Sequence, residues 1–108
     1  MTVTSDLTFI PAGPPISNAG ISPVLERITN NGNGTWTALW GWNNRNTVPV
    51  TIPIGINNRF SPAPQARGQP AVFLPGRHYG QFSTVITSSL VWALKWPDGA
   101  GRTATAGV

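Results

Sequence analysis

The sequence has no cysteine, a single histidine and only three acidic side chains among 108 residues. The first absence excludes a disulfide framework and a thiolate metal site, and leaves the redox compartment open. The scarcity of the other two bears on catalysis. A hydrolase needs a nucleophile with a base and an orienting group, or a pair of carboxylates. Here His78 follows Arg77 at the end of a proline turn, which reads as a solvated position, and Asp6, Glu26 and Asp98 are dispersed. No Gly-x-Ser-x-Gly surrounds any serine. The same dispersal leaves no side-chain cage for zinc or calcium, so the expectation is a chain without enzymatic activity, metal or cofactor.

Charge is also short. Charged residues make up 9 % of the chain, against about 25 % in an average soluble domain. The net charge is +4, but Arg27, Arg45, Arg59, Arg67, Arg77, Lys95 and Arg102 form neither a run nor a helical stripe. Phosphate recognition needs clustered charge, so nucleic acid is not an expected partner. No stretch approaches the roughly 18 apolar residues of a membrane-spanning helix, and the N-terminus lacks the charged and apolar regions of a signal peptide. Membrane insertion is therefore not expected, and the chain reads as a mature segment, an excised domain, or a protein that never meets the secretion machinery.

What the chain has in quantity is glycine (12), proline (11) and tryptophan (5). With no helical periodicity anywhere, this profile suits a rigid, turn-rich β protein. The organising stretch is 35–54, T-W-T-A-L-W-G-W-N-N-R-N-T-V-P-V-T-I-P-I. Trp36, Ala38, Trp40 and Trp42 share one parity, and so do Val48, Val50, Ile52 and Ile54, the period of a half-buried strand. The two runs predict a hairpin turning at Asn43–Asn46, because Asn tolerates left-handed backbone. Pro49 and Pro53 remove donors from one lateral edge, so 47–54 reads as a blunted edge strand.

Other strands are expected at 2–10, 24–29, 71–74, 79–87, 90–96 and 102–106. Residues 30–34, with two Asn-Gly steps, and 97–101 mark tight turns; the Asn33-Gly34-Thr35 acceptor pattern is accounted for by the turn itself. Residues 55–70 read as a long loop without structure of its own, often a functional feature. Seven or eight short strands at this spacing predict one all-β domain, an antiparallel immunoglobulin-like β-sandwich. Its usual Cys–Trp–Cys core is absent, so that assignment rests on strand count and pattern. Residues 1–22 are expected to form an N-terminal strand and Pro/Gly-rich arm, and 23–108 the sandwich.

Residues 23–106 also carry P-V-L-E at 23–26, N-G-N-G-T-W-T-A at 31–38, G-W-N-N-R-N at 41–46, N-N-R-F-S-P-A-P at 57–64, R-G-Q-P at 67–70, F-L-P-G-R at 73–77 and R-T-A-T-A at 102–106. In these the chain resembles a type of bacterial extracellular module of about a hundred residues found in secreted and surface multidomain proteins. The resemblance implies a β-sandwich with a structural or adhesive extracellular role and brings no catalytic residues. Arg27 stands where such modules often have cysteine, and Ala66 where an acidic residue often precedes R-G-Q-P; the latter leaves Arg67 without a neighbouring partner.

Two groups are candidate binding residues. Trp36, Trp40 and Trp42, about 7 Å apart along one strand face, could stack sugar rings, with Asn43, Asn44, Arg45 and Asn46 to bond hydroxyls. The competing and favoured reading places the tryptophans in the core opposite Trp92 and Trp96, since four phenylalanines and one tyrosine leave large rings to supply buried area. Trp42, nearest the turn, is the one expected to be exposed. Arg59, Phe60, Arg67 and Arg77 read either as a binding loop or, preferably, as a self-packed loop whose arginines donate to its free carbonyls.

Finally, Val3, Leu7 and Phe9 share a face that could complete the chain's own sheet or a neighbour's by strand addition. The functional expectation is a structural or adhesive module of an extracellular or cell-surface assembly, with itself or other surface-protein domains as partners. The alternatives are a carbohydrate-binding module with polysaccharide as partner, and a virion decoration protein.

Overall fold

The computed structural model describes residues 19–108, which form eight β-strands and no helix. These are β1 (Ile21–Asn30), β2 (Trp36–Asn44), β3 (Val50–Thr51), β4 (Asn58–Ser61), β5 (Val72–Phe73), β6 (Gly76–Ile86), β7 (Leu90–Leu94) and β8 (Arg102–Ala106). Every pairing is antiparallel: one sheet in the order β1-β2-β6, a second in the order β4-β7-β8, and a short β3-β5 pair. β1 also runs beside β8. Gly20 there lies so close to the Arg102 guanidinium that a Cβ would collide with it.

The strands follow the expected alternation. Ala38, Trp40 and Trp42 of β2 and Leu90, Trp92 and Leu94 of β7 are buried, and the Trp40 ring of one sheet meets the Trp92 ring of the other. Trp40 packs edge-on against Phe60 and Trp92, with centroids 5.3 and 6.1 Å away. Phe82 reaches Trp92 at 5.0 Å, and Phe73 of the short pair bridges Trp42 at 5.4 Å and Trp92 at 6.1 Å. Phe60 and Phe73 are almost wholly buried, which contributes about 3 kcal/mol each. The turns match their residues too: Gly32, Gly34 and Gly99 all have positive φ, the conformation for which glycine costs least.

The 35–54 hairpin does not form. β2 is the central strand of its sheet, with β1 on one edge and β6 on the other, so no edge remains for 47–54. The cause is the asparagines taken for an ordinary turn. Asn44 is buried and donates to the carbonyls of Val48 (3.2 Å) and Phe73 (2.8 Å), while its own oxygen accepts from the Asn46 backbone (2.9 Å) and side chain (2.8 Å). This network carries the chain off the sheet to pair with β5. Val50 and Ile52 are still buried and Pro49 and Pro53 exposed, but Ile54 has left the pattern.

Residues 55–70 are likewise not all loop. β4 lies within them, alternating buried Asn58 and Phe60 with exposed Arg59 and Ser61. The alternation was hidden because one inward position is asparagine. Its Nδ2 donates to the carbonyls of Ile52 and Pro70, each at 2.9 Å, and its Oδ1 accepts from the Trp92 indole at 3.0 Å. β1 begins at Ile21, inside the stretch read as arm, and Ala19 is fixed before it: its N–H donates to Asn46 Oδ1 (3.0 Å) and its carbonyl accepts from Asn46 Nδ2 (2.9 Å). Val3, Leu7 and Phe9 lie outside the described residues.

Candidate binding surface

Trp42 is buried, 5 % exposed. Its indole N–H donates to the Leu74 carbonyl at 3.1 Å and its ring is stacked by His78 at 4.8 Å. Trp40 and Trp92 likewise spend their N–H groups inside, on Thr84 and Asn58. An indole whose face and donor are both occupied offers nothing to a sugar, so the expected exposure of Trp42 is corrected. Asn44, expected to meet hydroxyls, is buried with it, and Arg45 beyond it is exposed. The exposed tryptophan is Trp96, at 48 %, which follows β7 after the apolar alternation has run past the end of the sheet. His78 is half-buried rather than solvated, with Nε2 2.9 Å from the Pro75 carbonyl.

The remaining candidates separate. Phe60 is in the core, and Arg59 is exposed on β4. Arg67 folds back on its own loop, donating from Nε to the Pro64 carbonyl (3.3 Å) and from Nη2 to those of Pro62 and Ala63 (both 3.1 Å). Gln69 closes the same loop, accepting from the Arg67 N–H (2.7 Å) and donating to the Gln65 carbonyl (2.8 Å). This is the self-packed arrangement of an irregular segment that must satisfy its backbone.

Arg77 is elsewhere, on the face of the β1-β2-β6 sheet opposite the tryptophans. It pairs with Glu26 of β1 at 2.7 Å, donates to the carbonyls of His78 (2.7 Å) and Trp42 (3.4 Å), and lies 3.9 Å over the Tyr79 ring. Both outer strands are irregular at this level. β1 bulges at Glu26, and β6 carries extra residues between the partners of Trp40 and Trp42. Bulges of this kind re-aim side chains, and Gly41 between them supplies the space.

A cleft lies along β6. Its inner edge pairs with β2; its outer edge has no strand partner among the described residues. Between that edge and the 62–70 loop are two cavities. The larger, about 200 Å³, is lined by Trp42, Gly68, Pro70, Gln81 and Phe82. The smaller, about 110 Å³, lies between Pro62 and Arg67 on one side and Val85, Ile86 and the Thr87–Leu90 turn on the other. Sequence reasoning missed this cleft; the signal available was a long strand facing a proline-rich stretch unable to donate a full ladder. Comparison with protein-family models, curated proteins and solved structures finds no match to this chain.

Proposed function

We propose that the chain is a non-enzymatic structural or adhesive module of an extracellular or surface assembly, built as an immunoglobulin-like β-sandwich. Supporting that architecture are the strand orders β1-β2-β6 and β4-β7-β8, the orders expected of its A-B-E and C-F-G strands, and the contact of Trp40 in one sheet with Trp92 in the other. The observation that carries the functional reading is the outer edge of β6, the longest of the described strands, which has no strand partner among the described residues. A free strand edge is a template for association. Polar side chains of the kind used in catalysis are engaged in holding the fold: Glu26 and Asp98 are paired with Arg77 and Arg102, and His78 is stacked on Trp42. Sedimentation over a wide concentration range tests the reading. Concentration-dependent association supports it, and a monomer at every concentration that also binds no other surface domain overturns it.

The carbohydrate reading keeps one specific observation, the exposed ring of Trp96. It predicts that polysaccharide shifts tryptophan emission in the parent chain and not in Trp96→Ala. An unshifted emission in both removes it.

A further inference from the structure

The connection from β1 to β2 runs N-N-G-N-G-T at 30–35 and contains the Asn-Gly step twice, as Asn31-Gly32 and Asn33-Gly34. Such a step can modify itself. When the glycine nitrogen attacks the asparagine Cγ, the side-chain nitrogen leaves and a succinimide ring closes, and a glycine without Cβ obstructs that approach least. The two steps share a sequence but not a set of hydrogen bonds.

At Asn31 both nucleophile and leaving group are held. The Gly32 N–H donates to Asn30 Oδ1 at 2.8 Å. Asn31 Nδ2 donates to Thr35 Oγ1 at 3.0 Å, and Asn31 Oδ1 accepts from Thr37 Oγ1 at 3.1 Å. Ring closure there must surrender the first two of these bonds. At Asn33 the arrangement is reversed. The Gly34 N–H and Asn33 Nδ2 have no hydrogen-bond partner among the described residues, both residues are exposed, and a Cβ built at Gly34 would meet nothing. Asn33 Oδ1, by contrast, accepts twice, from Thr35 Oγ1 at 2.6 Å and from the Thr35 N–H at 3.2 Å.

These bonds form one chain of donors. Thr37 donates to Asn31, Asn31 to the Thr35 hydroxyl, and that hydroxyl to Asn33 Oδ1, so that each bond polarises the next. Asn33 Oδ1 is the atom on which negative charge develops as a nitrogen adds to Cγ. Two donors already aimed at it act as an oxyanion hole does.

We propose that Asn33 is a site of spontaneous deamidation, promoted by the Thr35 hydroxyl and N–H, and that Asn31 in the same turn is spared. The Gly34 amide gives its proton to solvent base and its nitrogen bonds to Asn33 Cγ. The Cγ–Nδ2 bond then breaks, and Nδ2 takes up a proton and leaves as ammonia. Water opens the succinimide at either carbonyl, giving aspartate or isoaspartate. One water is consumed and one ammonia released, with no change of oxidation state. The product carries a new carboxylate, which lowers the net charge of +4 by one, and isoaspartate lengthens the turn backbone by a methylene. Because the attacking amide must lose its proton, the rate rises with pH.

The full-length chain is incubated in mildly alkaline buffer, and aspartate and isoaspartate at 31 and 33 are quantified by peptide mapping with mass spectrometry. A parallel sample is held in urea, where the bonds that distinguish the two steps are gone. Asn33 should convert about tenfold faster than Asn31 in the folded chain, a smaller factor than in a water-excluded oxyanion hole because the turn is open to solvent. The two rates should converge in urea, with Asn33 no faster there than in the folded chain. Thr35→Val should bring the folded ratio close to the urea value, while Thr35→Ser, which keeps the hydroxyl, should preserve it; tryptophan emission checks that each variant is folded. The comparison on the parent chain needs no substitution, so it decides the site even if Thr35→Val does not fold. Asn33 reacting more slowly folded than in urea, or no faster than Asn31, would overturn the site. A folded Thr35→Val with the parent ratio would overturn the role given to the hydroxyl.

Discussion

Glu26 and Arg77 belong to strands that never pair with each other, yet their carboxylate and guanidinium are 2.7 Å apart. They meet because the residue between them on β2 is Gly41, buried and without a side chain. A Cβ built at Gly41 would collide with the His78 carbonyl and a Glu26 carboxylate oxygen, and would stand 3.0 Å from Arg77 Nη1. The glycine is therefore required for access rather than for a left-handed backbone. The ion pair ties the outer strands of the sheet across its middle strand.

Gly41→Ala should destabilise the domain by about 1–3 kcal/mol, the range for overpacking a site whose neighbours include backbone. Urea unfolding followed by tryptophan emission measures it. A variant within ~0.3 kcal/mol of the parent would show that the pair relaxes freely and that the contact carries no constraint.

The pair itself is separable from its surroundings by a double-mutant cycle. Arg77→Ala also strips donors from the His78 and Trp42 carbonyls and the stack on Tyr79, so it should cost more than Glu26→Ala. The coupling between them should fall within about 0.5–3 kcal/mol, the range for residues in direct contact. Additive single effects would mean that Arg77 acts through the carbonyls alone.

The sequence reads well where a strand shows its alternation in apolar residues, as in β2, β7 and the turn glycines between strands. It misleads where polar residues do interior work. Asn44 and Asn46 look like a surface turn, but their side chains replace a missing sheet ladder by bonding to the carbonyls of Val48, Phe73 and Ala19. Asn58 conceals a strand for the same reason. Long-range partners decide such cases, and a local pattern does not contain them: Asn44 and Phe73 are 29 residues apart. The candidate site was less legible. Trp42 reads as exposed because it is nearest the turn and Phe60 as part of the 55–70 loop, and both are core. The cleft along β6 arises from the relative placement of a strand and a loop that no single stretch encodes.

Asn58 gives the sharpest stability test of this polar interior. It is fully buried, and truncation leaves the carbonyls of Ile52 and Pro70 and the Trp92 indole without their partner. Each buried orphan costs about 1–3 kcal/mol, so Asn58→Ala should lose at least ~3 kcal/mol. Phe60→Leu, which removes only packing, should cost less. If thermal unfolding ranks the two in the opposite order, the asparagine is not the keystone of the 52–70 segment.

The last prediction concerns pH. Asp98 accepts from Arg102 Nη1 at 2.8 Å and from the Ala100 N–H at 3.1 Å, closing the β7–β8 turn. The Arg102 hydrogen bond is the main cause holding its carboxyl below the ordinary aspartate range; partial desolvation works against it, and the Ala100 N–H adds to the lowering. A carboxyl depressed in the folded state binds protons more readily when the chain unfolds, so its contribution is present above the unfolded value and is lost as the pH falls through the folded one. The site is open to solvent, so this contribution is screened by salt. A carbon-detected NMR titration should place Asp98 below a free aspartate, and Arg102→Gln should move it upward while leaving the Ala100 bond to hold part of the shift. Added salt should narrow the gap between the two variants. An unshifted Asp98 in the parent chain, or the same midpoint in both, would show that the turn is closed by Asp98 and its own backbone without Arg102.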